Sequence, residues 1–590
     1  MQRKVAGLKS DHGERVSGAV YRIVSERGKL MDFGDRRRGV CAAVALVAGW
    51  YAFVWMVARP LSDAPVVDSW IYQHAVRALA ETGRLRFGGY TQAMPVGQTL
   101  YGLAWSRLFG PSAPSLDLSV ALLGIAGALM LYVLARRCGA RPETALLATG
   151  LLICNPCYLF LSFSFMTEVP FLAPLLGCHL AFACAEGSRH EQRWLWLAAT
   201  LAIVAFAVRP FGGAALIGCA AALVLYEREL WRRAHRALPR LVRRLAPFAF
   251  ASIACAAFWI GLVHAMRPWN LADSEARSLN AFFLVPAPRY LKLWLLWPLL
   301  YLGLVLAPLA LVQAALRWRR ALVIASAVLA AAIVITAFED HFVWSTPDCR
   351  CFGGWPGALT LHGMPRRLRW DDFGTGAGWT VAVLASLGAS GLCVSAAEAI
   401  PRMSRGAAAL MLTAAVYWLA TLPLWFFADR YYLVMVPAGC VLLALAPLPR
   451  GRSPVATAAI MTAMMGLLSL GGLYAYQRGA QAVLAARDAL LASGVPRAGI
   501  DAGYSLNGQD LYRYPRDRPD TLADERGIPM VTTTKLSPYT IAAVPGAGTE
   551  IVRRLSWPGS LGFGARPLYV LRLRTSHTGS DSTAAKAPSH

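Results

Sequence analysis

The chain has 590 residues, 56% of them hydrophobic and only 15% charged, with a mean hydropathy of +0.45. The apolar residues fall in runs of about 20, more than a soluble domain can hide, so the composition indicates a polytopic membrane protein. The formal net charge of +25 would point to nucleic acid in a soluble protein, but here the arginines cluster between apolar runs, where retention of cytoplasmic loops accounts for them and no nucleic-acid partner is expected.

In chain order, residues 1–38 read as a basic cytoplasmic tail with no cleavable signal peptide, and Met31 would serve equally well as a start. Hydropathy then predicts about thirteen spans. They lie near 39–58, 115–135, 143–161, 166–185, 194–208, 210–226, 245–266, 290–316, 321–338, 377–397, 407–427, 432–448 and 455–475. Arg209-Pro210 splits a short pair, as expected where proline interrupts the backbone ladder at a tight turn. The predicted fold is mainly α: a helix bundle over 39–475, a small α/β or α+β exterior domain over 476–575 and a disordered tail over 576–590. In the last domain a helix is expected from Ala480 to Ala492. Strands are expected at Tyr539–Val544, Glu550–Leu555 and Pro567–Leu573, between Gly/Pro turns.

Alternate loops carry arginine: Arg136-Arg137, Arg189 with Arg193, seven between Arg228 and Arg244, Arg317 with Arg319-Arg320, Arg402 with Arg405, and Arg450 with Arg452. This is the positive-inside pattern, and it predicts a cytoplasmic N-terminus and, with an odd number of spans, an exterior C-terminus. Two outer loops follow, 59–114 and 339–376. In the first, Ile71, Ala75, Ala78 and Leu79 share one helical face, which predicts a short interfacial helix over Ser69 to Gly83. Leu100 to Leu108 is partly apolar and reads as re-entrant or surface-lying. The second loop holds Cys349, Cys351, His341, Asp348 and His362, which read either as a metal site or as a polar loop. The other cysteines lie mainly in apolar runs and read as small hydrophobes. Internal repeats, a Walker glycine loop, His-Glu-x-x-His and Gly-x-Ser-x-Gly are all absent from the sequence, which removes support for ATP-driven transport and zinc proteolysis.

Ionisable residues at the outer ends of the spans are the candidates for chemistry. Asp68 is either a general base or a solvated loop acid, with Asp63 the plainer example of the latter. Glu168 stands among Phe165, Met166, Val169 and Phe171, where a charge facing lipid would cost up to roughly 2.5–3.5 kcal/mol. It should therefore face a polar cavity or a cation; the alternative is a helix-start acid favoured by the dipole. Arg430 and Arg209 offer guanidinium forks suited to phosphate oxygens, and Tyr431 a hydroxyl beside one of them. Asp429 could pair with Arg430 instead, and both arginines could be snorkelling interface anchors. His179 is the main ionisable residue inside a span.

Taken together, these residues resemble the GT-C superfamily of polyprenyl-phosphate-sugar-dependent glycosyltransferases, and within it the protein O-mannosyltransferase and lipid A aminoarabinose transferase group. The resemblance rests on Asp68-Ser69-Trp70-Ile71-Tyr72 with its following helix, on Met94-Pro95 leading to Leu108-Phe109-Gly110, and on Arg136-Arg137-Cys138-Gly139. It continues with Asn155-Pro156, Met166-Thr167-Glu168, and Arg430-Tyr431 before Pro437. It covers residues 60–185 well and 420–445 in part. Glu168 replaces a commoner Asp, and the loop 339–376 has no counterpart.

What the resemblance implies is a multi-pass enzyme of the cell membrane, inner membrane in a bacterium. It would transfer a hexose or pentose with inversion, from a polyprenyl-phosphate donor to a cell-envelope lipid, glycan or protein on the outer face. Asp68 and Glu168 would be catalytic, with Arg430, Arg209 and Tyr431 binding the donor phosphate. No cofactor would be required, although a divalent metal fits the scheme. The rival classes are a transporter or flippase and another lipid-linked glycan ligase or polymerase.

Overall fold

The structure, a computed structural model, describes residues 33–66, 68–85, 95–227, 234–266, 297–337, 374–421, 429–449, 452–513, 538–546, 548–559 and 564–574. The candidate metal residues of the 339–376 loop, the basic tail before residue 33 and the tail after 574 lie outside these.

Helix α1 is Phe33–Ala58. Two shorter helices follow in the first loop, α2 at Ser69–Thr82 and α3 at Val96–Phe109. The first agrees in extent with the helix expected over Ser69 to Gly83 and ends on Gly83, whose φ of 65° suits glycine and whose N–H returns to Leu79 O. Helix α4, Ala113–Arg137, is opened by Ser112, whose hydroxyl accepts from Ser115 N. The span expected over 143–161 is two helices, α5 (Pro142–Cys154) and α6 (Pro156–Leu161). Pro156 supplies no N–H to continue the ladder, and Asn155 Oδ1 caps the new helix at Tyr158 N.

Next come α7 (Glu168–Ala185) and α8 (Glu191–Val208). The single turn Pro210–Gly212 leads into α9 (Gly213–Tyr226), so the break before Pro210 falls where expected. Helices α10 (Ala234–Met266), α11 (Trp297–Val305), α12 (Ala307–Leu316), α13 (Trp318–Ala337) and α14 (Gly374–Ala399) follow. Helix α15 is Arg405–Thr421, a 3-10 segment runs Asp429–Met435, and α16 is Val436–Leu445.

The count of thirteen spans is not confirmed. Among the described residues, seven helices are long and apolar enough to cross a membrane, and α11 and α12 form one further pair bent by 91°. Shorter apolar helices lie at Pro142–Cys154, Pro210–Tyr226 and Arg430–Leu445. Hydropathy sums over a window and does not register a bend, so one apolar run can hold two short helices. Helices in this bundle approach closely through small residues. A Cβ at Gly388 would lie 2.0 Å from Gly303 O, so only glycine lets α11 and α14 touch backbone to backbone.

The last long helix, α17, runs Arg452–Ala492 without a break. It therefore crosses residue 475, where a domain boundary was expected, and includes the helix expected at Ala480–Ala492. Its far end packs Val483, Ala486 and Leu490 against Ile541, Trp557, Leu568 and Val570 of a four-stranded sheet. The strands are β1 (Ile500–Asp501), β2 (Tyr539–Ala542), β3 (Thr549–Pro558) and β4 (Ala565–Leu573). Their order is β1-β2-β4-β3, with β1 parallel to β2 and the other pairs antiparallel. The three strands read from sequence are all present. The two-residue β1 and the helix α18, Tyr504–Arg513, were not read.

Helix α18 joins the small domain to the first loop. Gln509 Nε2 donates to Asp63 O at 3.3 Å, and a Cβ at Gly508 would fall 2.4 Å from Trp70 Cε2 on α2. Residue 508 must therefore be glycine for α18 to sit on the Trp70 ring. Gly508→Val should cost about 1–3 kcal/mol at this contact, as overpacking does. Limited proteolysis should then cut the sheet domain faster while leaving the bundle intact; unchanged cleavage would show that this contact does not hold the domain in place.

Candidate functional site

The site is built around a turn that has almost no freedom. Residues Ser162 to Thr167 link α6 to α7 and are all buried. Asp117 on α4 accepts from Phe165 N at 2.7 Å, and Gln98 on α3 donates to Phe165 O at 3.0 Å and Met166 O at 3.3 Å. Tyr51 on α1 donates to Ser162 Oγ at 2.9 Å. Backbone polar groups buried in a turn need such partners, and here α3 and α4 supply them, while α1 holds the Ser162 side chain. The consequence is a fixed position for Thr167 and Glu168 at the start of α7.

Glu168 is 1% exposed and meets two guanidiniums through one oxygen. Arg209 Nη2 donates to Glu168 Oε1 at 2.8 Å, and Arg430 Nε approaches the same oxygen to 3.1 Å. Arg209 Nε donates to Thr167 Oγ1 at 2.7 Å, so this arginine is held at two points. Arg430 Nη2 then reaches Asp68 Oδ2 at 2.9 Å. Two cations and two anions from four separate segments thus form one neutral cluster. Glu168 Oε2 is buried and takes no hydrogen bond from the described residues.

Each partner stands where its backbone leaves a helix or begins one. Asp68 is at the N-cap of α2, yet its side chain makes no cap hydrogen bond; the carboxylate faces Arg430 instead. Arg209 closes α8 through its N–H to Ala205 O, with φ −146° and ψ 131°, the extended backbone that a following proline imposes. Arg430 lies in the 3-10 segment before α16. The rings of Tyr431 and the guanidiniums of Arg209 and Arg430 are 5.5 and 5.7 Å apart, centroid to Cζ. Tyr417 donates to Tyr431 O at 2.9 Å and steadies that segment. Tyr72 on α2 also borders the cluster; burial first, and then the Asp68 charge, push its hydroxyl well above the usual tyrosine range.

All five residues expected at the site, Asp68, Glu168, Arg209, Arg430 and Tyr431, are therefore brought together. Several expectations about them change. Glu168 faces cations, as argued from its apolar neighbours. Neither arginine is a snorkelling anchor, since both are buried in ion pairs. Arg430 pairs with Asp68 and Glu168, residues remote in sequence, and Tyr431 presents its ring face rather than only a hydroxyl. Asp68 is an ion-pair partner and not a solvated loop acid. Gln98 and Asp117 were not singled out, and Thr167 and Tyr72 entered only as members of the motifs that carry the resemblance. Asp117 carried a signal of its own, as an acid in the first turns of an apolar helix.

A second charged group stands at the other end of α8. Arg244 bridges Glu191 at 3.0 Å and Glu227 at 2.6 Å, and Arg405 meets Glu191 at 3.1 Å. Glu191 and Arg209 flank a helix of 18 residues, about 27 Å at 1.5 Å per residue, close to the thickness of a bilayer core. Among the described residues no group of three or more His, Cys, Asp or Glu could hold a metal.

No family model matches the chain, and no curated protein matches it. It is similar to several solved structures. ArnT from Cupriavidus metallidurans in the apo state is 15% identical, over 90% of this chain and 97% of that one, with a TM-score of 0.40. AglB, the oligosaccharyltransferase of Archaeoglobus fulgidus, is 13% identical over 76% of this chain and 56% of that one, also at 0.40. The S. cerevisiae Pmt1-Pmt2 protein O-mannosyltransferase is 14% identical, over 37% of this chain and 34% of that one, at 0.31. The chain thus spans about a third of the yeast chain and just over half of the archaeal one. At these TM-scores none of the likenesses bears on which residues act.

The cluster has an internal order of importance. Glu168 is sealed and neutralises two buried guanidiniums, whereas the Asp68 side chain is 18% exposed. Removing the central anion of a buried network costs about 3–5 kcal/mol. In thermal melts of the purified protein in detergent, Glu168→Ala should melt well below Asp68→Ala. The reverse order would show that Asp68, not Glu168, holds the arginines.

Proposed function

We propose that this chain is a membrane glycosyltransferase that moves a sugar from a polyprenyl-phosphate donor to a cell-envelope acceptor, lipid, glycan or protein, on the outer face with inversion. The observation that carries this reading is the cluster itself. A carboxylate that reaches solvent stands 2.9 Å from a buried guanidinium, and a second guanidinium is locked beside it through Glu168. A general base next to a site for growing negative charge is what displacement at an anomeric carbon requires.

In this reading Asp68 takes the proton from the acceptor hydroxyl. The acceptor oxygen forms a bond to the anomeric carbon from the side opposite the phosphate. The bond from that carbon to the phosphate oxygen breaks, and its electron pair leaves with the lipid phosphate. Arg430 and Arg209 stabilise that charge, with the Tyr431 ring against both. Glu168, whose one oxygen orders both guanidiniums, is a positioning residue in this scheme rather than an acid or base. The chemistry requires no nucleotide and no metal. A transporter would gather ionisable groups near the membrane midplane; this cluster sits at helix ends instead.

Asp68→Asn keeps the shape and removes the basicity. Sugar transfer in membranes supplied with a polyprenyl-phosphate sugar should slow at least about 100-fold, the usual contribution of a general base. Asp63→Asn should match wild type. Transfer at near wild-type rate by Asp68→Asn would remove Asp68 as the base.

The proposed sidedness follows from the arginine loops. Reporter fusions after Arg244 and Arg320 should read cytoplasmic, and a fusion after Gly494 exterior. A cytoplasmic signal after Gly494 would move the cluster to the other face and end the outer-face reading.

A further inference from the structure

Arg430 has two carboxylate neighbours in unequal settings. The contact with Glu168 lies in the sealed part of the cluster, where Glu168 is 1% exposed. The contact with Asp68 is the outer one, at 2.9 Å, with the Asp68 side chain 18% exposed. An anion entering from solvent therefore meets the Asp68 side of the guanidinium first. Asp68 also forgoes its local alternative: at the N-cap of α2 an aspartate ordinarily accepts from the second or third N–H of the helix, and here it makes no such bond. A carboxylate that swung away from Arg430 would keep the solvent access it already has, its side chain being 18% exposed, so leaving the guanidinium does not strand a buried charge.

Carboxylate and phosphate oxygens compete for the same planar fork of donors. With two arginines and two carboxylates the cluster is already neutral, so an added phosphate would leave excess negative charge packed around Arg430 while Asp68 stayed in place. Resting on the glycosyltransferase reading above, we propose that Asp68 is a latch: it occupies the phosphate's position on Arg430 until the donor arrives, and the phosphate displaces it. The same event that seats the donor then releases the base. While Asp68 holds Arg430, its Oδ2 is occupied by the guanidinium at 2.9 Å and cannot accept from an acceptor hydroxyl. Once displaced, it faces the acceptor hydroxyl without that restraint. The base is thus armed only with donor in place. The inner Arg209–Glu168–Arg430 arrangement stays intact throughout and keeps the guanidinium in position for the exchange.

A latch makes an unusual demand on binding: removing the catalytic base should strengthen it. The test uses full-length protein in detergent with geranylgeranyl phosphate as the probe and geranylgeraniol, which lacks the phosphate, as the reference. Asp68→Asn should bind the phosphate probe about 10-fold or more tightly than wild type, the scale of one competing charge-assisted hydrogen bond. Asp63→Asn should bind as wild type, and Arg430→Gln should bind far more weakly. If Asp68→Asn does not reach the membrane, Asp68→Ser carries the same test. Equal or weaker binding by a folded Asp68 variant, with wild type still preferring the phosphate over the alcohol, overturns the latch and leaves the glycosyltransferase reading standing. No preference for the phosphate in wild type or in any variant overturns the lipid-phosphate reading itself.

Discussion

A single carboxylate oxygen, Glu168 Oε1, stands between two buried guanidiniums. Much of this end of the molecule depends on that contact. Burying a cation costs several kcal/mol, and two together repel each other. Arg209 and Arg430 come from segments more than 200 residues apart in sequence, and they share this place only because Glu168 lies between them. The carboxylate in turn cannot drift, because the turn that carries it is tied to α1, α3 and α4 through Ser162, Phe165 and Met166. The charge pair thus specifies the relative placement of α7, the end of α8 and the 3-10 segment before α16.

This arrangement couples the bundle to the parts outside it. Asp68 begins α2, and the opposite side of α2 carries Trp70 against Gly508 of the small domain. That domain is also continuous with the bundle through α17, which runs 41 residues from Arg452 into the sheet's core. A rigid helix and a packed ring therefore fix the small domain relative to the loop that carries α2. A rotation of the domain would have to move α2 and with it Asp68, which gives the domain a physical route to the cluster.

At the far end of α8, arginines and glutamates pair in a different manner. Arg244, Glu191, Glu227 and Arg405 keep intermediate exposures or lie near the helix ends, and their bonds join α8, α10 and α15. Such pairs contribute modestly when solvent reaches them. They brace helix ends, with Arg244 and Glu191 a quarter exposed, whereas Glu168 is 1% exposed and serves two guanidiniums at once.

The sequence by itself determined the membrane character, most of the helices, the short helix after Asp68 and the three main strands. Each depends on local composition: apolar runs, a repeated apolar face, alternation between turn residues. It also nominated Asp68, Glu168, Arg209, Arg430 and Tyr431, because charges beside apolar runs are costly wherever the chain folds. Only the tertiary structure decided that Arg430 pairs with Asp68, that Glu168 serves two arginines, and that Gln98 and Asp117 hold the turn. Glutamine on a short helix and an acid near a helix start look ordinary in a sequence; their roles come from partners dozens of residues away. The bend between α11 and α12 and the unbroken course of α17 were likewise hidden, since hydropathy measures how apolar a segment is and not the direction in which it runs.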